Sequence, residues 1–424
     1  MIDIKLLRED PDGFKKSLGR KRYDPALLDE VVNLEVVKRQ VQTQVEKLRA
    51  AKNQASKEIS KCSPDQRAAK IEAVKKLGDE LVDGEQKLAE HEEKLKELLL
   101  SIPNPPHESV PDGGKDEEGQ VLRLVGEKPT FGFKPRDHQE LGELLGVIDI
   151  PRASRLSGSR FAYLMGDLVM LQFALVRLAL DKLSARGFVP VVVPIMVRER
   201  AMYGTGFFPA DRNEIYRLEG EDLYLVGTSE VSLAGMHMDE IVPADRLPLR
   251  YVGYSTCLRR EAGSYGKDTA GIFRVHQFDK VEMFSFTKPE ASWEEHDLLL
   301  SMEEDIIRSL GLHYRVVNIV AGDLGAPAAK KYDVEVWLPG QNAYRELTSC
   351  SNCTDYQARR LNCRFKDQSG LGPVHTLNGT AIAIGRTIIA LLENHQREDG
   401  SVVLPEALHP YLPAGLHVLK APRA

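Results

Sequence analysis

The residues best suited to chemistry cluster between Cys257 and Glu282. Arg259 and Glu261 stand two apart on one side of a loop-forming stretch, and Arg274, His276, Phe278, Lys280 and Glu282 recur at every second position on the other. If both flanks are strands, side chains of one parity share a face. Guanidinium groups, a carboxylate and an aromatic ring on one sheet face would suit a nucleotide: guanidinium for phosphate, ring for base, carboxylate for a cation or amine. The stretch between the flanks, Ala262 to Gly271, holds three glycines with Ser264, Lys267, Asp268 and Thr269, a composition that makes turns. A hairpin with a solvated charged face accounts for the same residues.

Three smaller groups also carry polar chemistry. Thr228-Ser229-Glu230 follows a short strand and could cap a helix, with Thr228 or Ser229 as the cap and Glu230 in the first turn. Gly385-Arg386 sits where a helix begins, a common place for a cap and a surface charge. Cys350 and Cys353 form one Cys-x-x-Cys, whereas zinc modules bring two ligand pairs, and Cys363 and His375 lie at spacings that form no familiar knuckle. No zinc is expected.

The elements that must position these groups can be read from periodicity. Leu168, Leu171, Leu175, Leu178, Ala179 and Leu183 keep helical spacing, which predicts a helix over Tyr163 to Arg186 stopped by Gly187. Phe188 to Pro194 reads as a strand interrupted by prolines, which belong on a sheet edge or a subunit boundary. Trp293 to Leu310 reads as an amphipathic helix. Tyr314 onward, Tyr332 onward and Gln341 to Ser349 read as three strands, and His375 onward as a strand feeding a helix.

The first hundred residues are a different material. Leu34, Val41, Leu48, Ala55 and Cys62 recur every seven residues, and after Ser63-Pro64-Asp65 the spacing resumes with Val74, Leu81, Leu88 and Leu95. Two heptad helices joined by a proline-bearing turn predict an antiparallel hairpin. Its first arm, Leu27 to Cys62, would extend about 54 Å at the helical rise per residue. The alanine and cysteine in the seam imply close approach near the tip. From Lys38 to Lys76 there are 11 Lys and Arg against 4 Asp and Glu, a local 11 − 4 = +7 in a chain of net charge −6. Such a basic projection on an acidic chain points to polyphosphate, although charged outer positions are ordinary in coiled coils. Ser101 to Gly119, with four prolines and Gly113-Gly114, reads as a linker, dividing a domain over 1–110 from one over 111–424.

At 424 residues, 28% charged and 42% hydrophobic, the chain has neither disordered nor membrane composition. No run approaches the ~18 apolar residues of a membrane span, and the start lacks a signal peptide's apolar core. A cytoplasmic protein with reduced thiols is expected, since five cysteines in such a chain make no secretory disulfide framework.

Arg-x-Glu, the glycine-bearing loop and Phe-Arg-Val-His-Gln-Phe-Asp-Lys-Val-Glu together resemble motif 2 of the class II aminoacyl-tRNA synthetases, and specifically of the seryl-tRNA synthetase family. The helix and proline-edged strand upstream resemble motif 1, and His375 to Asn394 resembles motif 3. Arg155 to Leu164 resembles that family's lead into its catalytic domain. Departures are mild: Leu258 stands where Phe is usual, and Thr348 and Thr380 replace Ser. The fold implied is α+β, a class II antiparallel sheet flanked by helices, with an N-terminal antiparallel coiled coil.

The resemblance also implies roles. Arg259, Arg274 and Arg386 are the catalytic arginines: Arg259 for the α-phosphate and the serine carboxylate, Arg386 for the γ-phosphate. Glu261 and Phe278 hold adenine, and Arg260, Val275, Leu347 and Thr348 complete the ATP set. Glu346 and Ser349 hold Mg2+ on ATP, as hard oxygen ligands should. Thr228, Ser229, Glu230, Glu282, Asn378 and Thr380 surround serine beside Arg259. Lys52, Lys57, Lys61, Arg67 and Lys70 face tRNA(Ser) with its long variable arm. A homodimer is implied, and charging of tRNA(Sec) is left open. A carrier-protein-charging paralogue would usually lack the hairpin, and a noncatalytic adaptor would have lost motif arginines.

Overall fold

A computed structural model describes residues 1–60, 63–262 and 271–422. Lys61, Cys62 and the loop positions Gly263 to Ala270 lie outside them. The chain divides into two units, Ile2–Pro103 and Asn104–Ala424.

In the first unit, α1 (Pro25–Ile59) and α2 (Pro64–Ser101) form the expected hairpin. Both begin with proline at the first helical position, where its missing N–H costs nothing, and the Asp24 carboxylate caps α1 by accepting from the Ala26 amide. Cross-hairpin ion pairs confirm the antiparallel register: Lys94 with Glu30 at 3.0 Å, Arg49 with Glu85 at 2.6 Å and Lys70 with Glu58 at 3.3 Å. Val45, Leu81 and Leu95 are buried in the seam, while Leu34, Val41, Leu48 and Leu88 are half-buried. The helices come close at Gly84, where a Cβ would lie 3.0 Å from Val45 Cγ2. Two short helices, Ile4–Glu9 and Pro11–Gly19, precede α1 and escaped the sequence reading because neither is long enough to show a period.

The second unit is built on an eight-stranded sheet: β1 (Gln120–Val125), β2 (Val189–Val192), β3 (Leu249–Leu258), β4 (Gln277–Thr287), β5 (Tyr314–Asn318), β6 (Lys330–Leu338), β7 (Ala343–Asn352) and β8 (His375–Ala383). Their order is β1-β5-β6-β7-β8-β4-β3-β2, antiparallel throughout except that β2 joins β3 in parallel at the edge. Helices α3 (Asp167–Ser184), α4 (Glu230–Gly235), α5 (Ser292–Ser309), α6 (Tyr356–Leu361) and α7 (Ile384–Asn394) pack around it. The main core joins α3, α5 and α7 to the sheet through residues such as Leu171, Leu175, Leu299, Ile306, Val334, Ile388 and Leu391.

Some boundaries differ from expectation. The helix expected from Tyr163 begins at Asp167, because Gly166 takes φ +58 and Tyr163–Leu164 pairs instead with Ile148–Asp149. The proline-rich stretch after Ser101 is no loose linker. The Asn104 side chain donates to Pro327 O at 2.9 Å and Cys353 O at 2.8 Å, and the His107 amide donates to Ala329 O, seating the segment on the second unit.

Candidate active site

Strands β3, β4, β7 and β8 and the start of α7 enclose a cavity of about 290 Å³. Arg259, Glu261, Arg274, Val275, Phe278, Glu346, Leu347, Ser349, Thr380 and Arg386 all line it, ten of the residues that sequence alone singled out. They come from four separate stretches of the chain, and the order of the sheet is what assembles them.

Arg259, Glu261, Arg274 and His276 do not share a strand face as strand parity predicts. β3 stops at Leu258 and β4 starts at Gln277, so Arg259, Glu261, Arg274 and His276 lie outside the regular ladder. Glu261 has φ +51, a left-handed conformation that no strand carries. Arg259 is fixed by its backbone, which exchanges bonds with His276, and by its Nε, which donates to Gly227 O at 3.0 Å. Its guanidinium lies 5.2 Å from the centre of the Phe278 ring. Glu261 and Arg274 are joined by an ion pair across the loop ends. His276, of the same parity, stays outside the cavity and packs its ring on Phe161.

Two β-bulges decide which side chains reach the cavity. Between β6 and β7, Leu347 is the extra residue, so Glu346 and Ser349 both face inward although three apart. Thr348 turns the other way and donates its hydroxyl to Glu303 of α5 at 2.9 Å, so its side chain does not reach the cavity. Glu303 is fully buried, and burial pushes its carboxyl well above the usual range. A second bulge at Ala381 follows Thr380 in β8, and Thr380 and Ala383 then line the same space.

Opposing charge dominates one end. Burial alone would raise the Glu346 carboxyl, but Arg386, Lys331 and Arg259 outweigh it and hold it at about 2. Arg386 donates to Glu346 O at 3.0 Å and sits 4.7 Å from the centre of the Phe273 ring, which Arg345 covers at 4.0 Å. Phe273, Ile272 and Gly385 complete that wall. Sequence reasoning passed over Ile272 and Phe273, since a Phe beside the loop carries no signal that distinguishes it from core.

Of the residues expected around serine, only Thr380 and Arg259 line the cavity; Thr228, Ser229, Glu230, Glu282 and Asn378 do not. The Thr380 hydroxyl donates to Glu282 Oε2 at 3.4 Å, and Lys280 Nζ holds the same oxygen at 2.6 Å. Glu230, the first residue of α4, is buried and accepts from Asn378 Nδ2 at 3.1 Å. Thr228 accepts from the Glu230 amide at 3.2 Å, so the capping reading of the triplet also holds in part. Ser229 donates to Gly253 O at 3.4 Å and faces β3. Arg260 is exposed, off the cavity, with its amide on Glu214 O. Cys257, Cys350, Cys353 and Cys363 are buried free thiols, and no cluster of three His, Cys, Asp or Glu placed to hold a metal occurs among the described residues.

A cavity that gathers arginines, an aromatic wall and carboxylates on an antiparallel sheet has the make-up of the catalytic core of a class II aminoacyl-tRNA synthetase. Residues 214–395 match the family described as the tRNA synthetase class II core domain (G, H, P, S and T), and residues 1–106 match the seryl-tRNA synthetase N-terminal domain. A serine–tRNA ligase of Acidothermus cellulolyticus is 49% identical over 423 residues, covering 100% of both chains. The seryl-tRNA synthetase of Pyrococcus horikoshii complexed with ATP superposes with a TM-score of 0.94 at 41% identity over 100% of both chains. The cytoplasmic serine–tRNA ligase of Naegleria fowleri in complex with AMP gives 0.89 at 35% identity, over 100% of this chain and 99% of that one. The chain belongs to the seryl-tRNA synthetase family.

Proposed function

We infer that this chain is an ATP-dependent serine–tRNA ligase that forms seryl-adenylate and passes the seryl group to tRNA(Ser). The observation that carries the chemistry is the meeting of Arg259, Phe278, Arg386, Glu346 and Thr380 around one cavity. A serine carboxylate oxygen attacks the α-phosphorus in line, the bond to the β-phosphate oxygen breaks, and pyrophosphate leaves with the electron pair. The terminal ribose hydroxyl of the tRNA then attacks the adenylate carbonyl, and AMP departs. No side chain acts as a nucleophile. The protein supplies position and charge: Arg259 between the two reacting groups, Arg386 on the departing phosphates, Phe278 against adenine. Serine-dependent exchange of pyrophosphate into ATP, followed by tRNA charging, tests the reading. Exchange that ignores serine sinks it.

Magnesium belongs to the same proposal. Glu346 is ionised and Ser349 supplies a hydroxyl beside it, a hard-oxygen pair that fits Mg2+ completed by phosphate oxygens and water. When bound, the ion would neutralise charge on the phosphates.

For serine selectivity the pocket reading assigns Thr380 and Glu282 to the hydroxyl and ammonium end, with Thr228, Glu230 and Asn378 beside them. Thr380→Val keeps the shape and deletes the hydroxyl. The Michaelis constant for serine should rise by about five- to tenfold while that for ATP stays put, the cost of one hydrogen bond. A rise confined to ATP shows that Thr380 is misplaced.

The arm is proposed to contact tRNA(Ser). Lys52, Lys57, Arg67 and Lys70 lie on α1 and α2, and none lines the cavity. Lys70 already pairs with Glu58, an exposed contact worth little. With Lys61 included, changing all five to Gln should leave pyrophosphate exchange within about twofold, since none of the described four lines the cavity and exposed charges are screened. Binding of tRNA(Ser) should weaken, and its salt dependence flatten by about 0.9 log–log units per lost phosphate contact. Parental affinity and slope together would reduce the charge to a solvated helix face.

A homodimer and a cytoplasmic setting complete the proposal. Support for the dimer is that edge strand β2 leaves Val189 55% and Val192 87% exposed, with Met170 and Phe173 of α3 also open. Sedimentation that finds monomer alone at working concentration counts against it. No described helix is long and apolar enough to cross a membrane, and the four described cysteines form no disulfide.

A further inference from the structure

We propose that Gln357 is a positioning residue for the amino-acid substrate: its buried amide turns the Glu230 carboxylate so that one oxygen is held by the protein and the other is left to receive the substrate ammonium. The inference rests on the proposed serine pocket and extends it to a residue that touches no substrate.

Gln357 lies on α6 and is fully buried. Its Nε2 donates to Glu230 Oε1 at 2.8 Å and to Thr205 O at 3.1 Å, while its Oε1 accepts from the Thr376 hydroxyl at 2.8 Å. Two N–H groups and one carbonyl are thus all engaged, and the amide has a single workable orientation. Flipping it would set a carbonyl oxygen against two acceptors. Asn378 Nδ2 reaches the same Glu230 oxygen at 3.1 Å. Two donors converge on Oε1, and among the described residues no donor engages Oε2.

This geometry matters because Glu230 sits near its own titration. Burial and the facing Glu282 carboxylate push its carboxyl up to about 7, while Gln357, Lys280 and Arg259 pull the other way. Only the ionised form can accept from an ammonium without offering a competing proton. A donor fixed on Oε1 favours that form, so losing it should raise the carboxyl further. Thr376, also fully buried, is the strut that keeps the Gln357 amide from turning.

The test is Gln357→Met in the full chain, similar in length and without a donor, assayed by serine-dependent pyrophosphate exchange across pH with ATP saturating. The Michaelis constant for serine should rise at least about tenfold, as for a lost hydrogen bond to a charged group, with that for ATP within about twofold. The acid limb of kcat/KM for serine, near pH 7, should move up by about one unit. Thr376→Val should move both quantities in the same direction by less, and it carries the test if Gln357→Met does not fold. Serine constants and acid limb at parental values in the folded variants overturn the proposal, as does a loss of kcat alone. Glu230→Gln and Thr380→Val, run in parallel, separate the two readings. If they weaken serine and Gln357→Met does not, the pocket stands and the positioning role is wrong; if none of the variants weakens serine, the pocket itself is misplaced.

Discussion

Replacing Arg259 by Ala should lower the rate of adenylate formation by about a hundredfold or more, the scale seen when one fixed donor to developing charge is removed. The arginine is fixed before substrate arrives: Nε is tied to Gly227 O, the backbone to His276, and the guanidinium lies by Phe278. Its remaining N–H groups are therefore free to be spent on the α-phosphate and the serine carboxylate with little ordering cost. Arg259→Lys should recover only a small part of the loss. Lysine keeps the charge but has no Nε–H to bond Gly227 while its head group reaches the phosphate, and it lacks the planar fork. Single-turnover pyrophosphate release measures both variants. A folded Arg259→Ala enzyme within tenfold of the parent would falsify the assignment, and full rescue by Lys would reduce the role to bulk charge.

Arg386→Ala should cost at least tenfold in the same step, the factor for about 1.4 kcal/mol of barrier. Arg386 is the third residue of α7, where the helix N-terminus already favours anions. Its side chain is held by Glu346 O and lies on Phe273. Among the charges that hold the Glu346 carboxyl low, Arg386 is the largest, so the variant also relaxes that carboxyl upward. Unchanged exchange in a folded variant would move the γ-phosphate contact to another residue. The Michaelis constant for serine should hold, which distinguishes this effect from that of Thr380→Val.

The sequence by itself determined the long helical arm, the central strands other than β3, of which only the last residues were foreseen, and the arginines and carboxylates that gather at the cavity. These features are legible because each rests on local repetition. A heptad seam recurs often enough to stand out over two long helices, and the arginines beside the glycine-rich loop occupy a short stretch. Arg259, Glu261, Arg274, Phe278 and Lys280 meet in one cavity although strand parity does not bring them there, whereas His276 and Glu282 do not line it.

Tertiary structure alone decided how the separate stretches converge. Leu347 and Ala381 look like ordinary apolar residues in sequence, yet each is the extra residue of a bulge that turns its neighbours toward or away from the cavity. Thr348 and Ser349 are adjacent hydroxyls with no local feature to separate them; a one-residue slip sends one to Glu303 and the other to the site. Gln357 meets Glu230 across 127 residues of chain. Period and spacing describe what one element does with its own side chains. Which element lies opposite is set by the order of strands in the sheet and the packing of α4 and α6 beside it, and those depend on the whole chain at once.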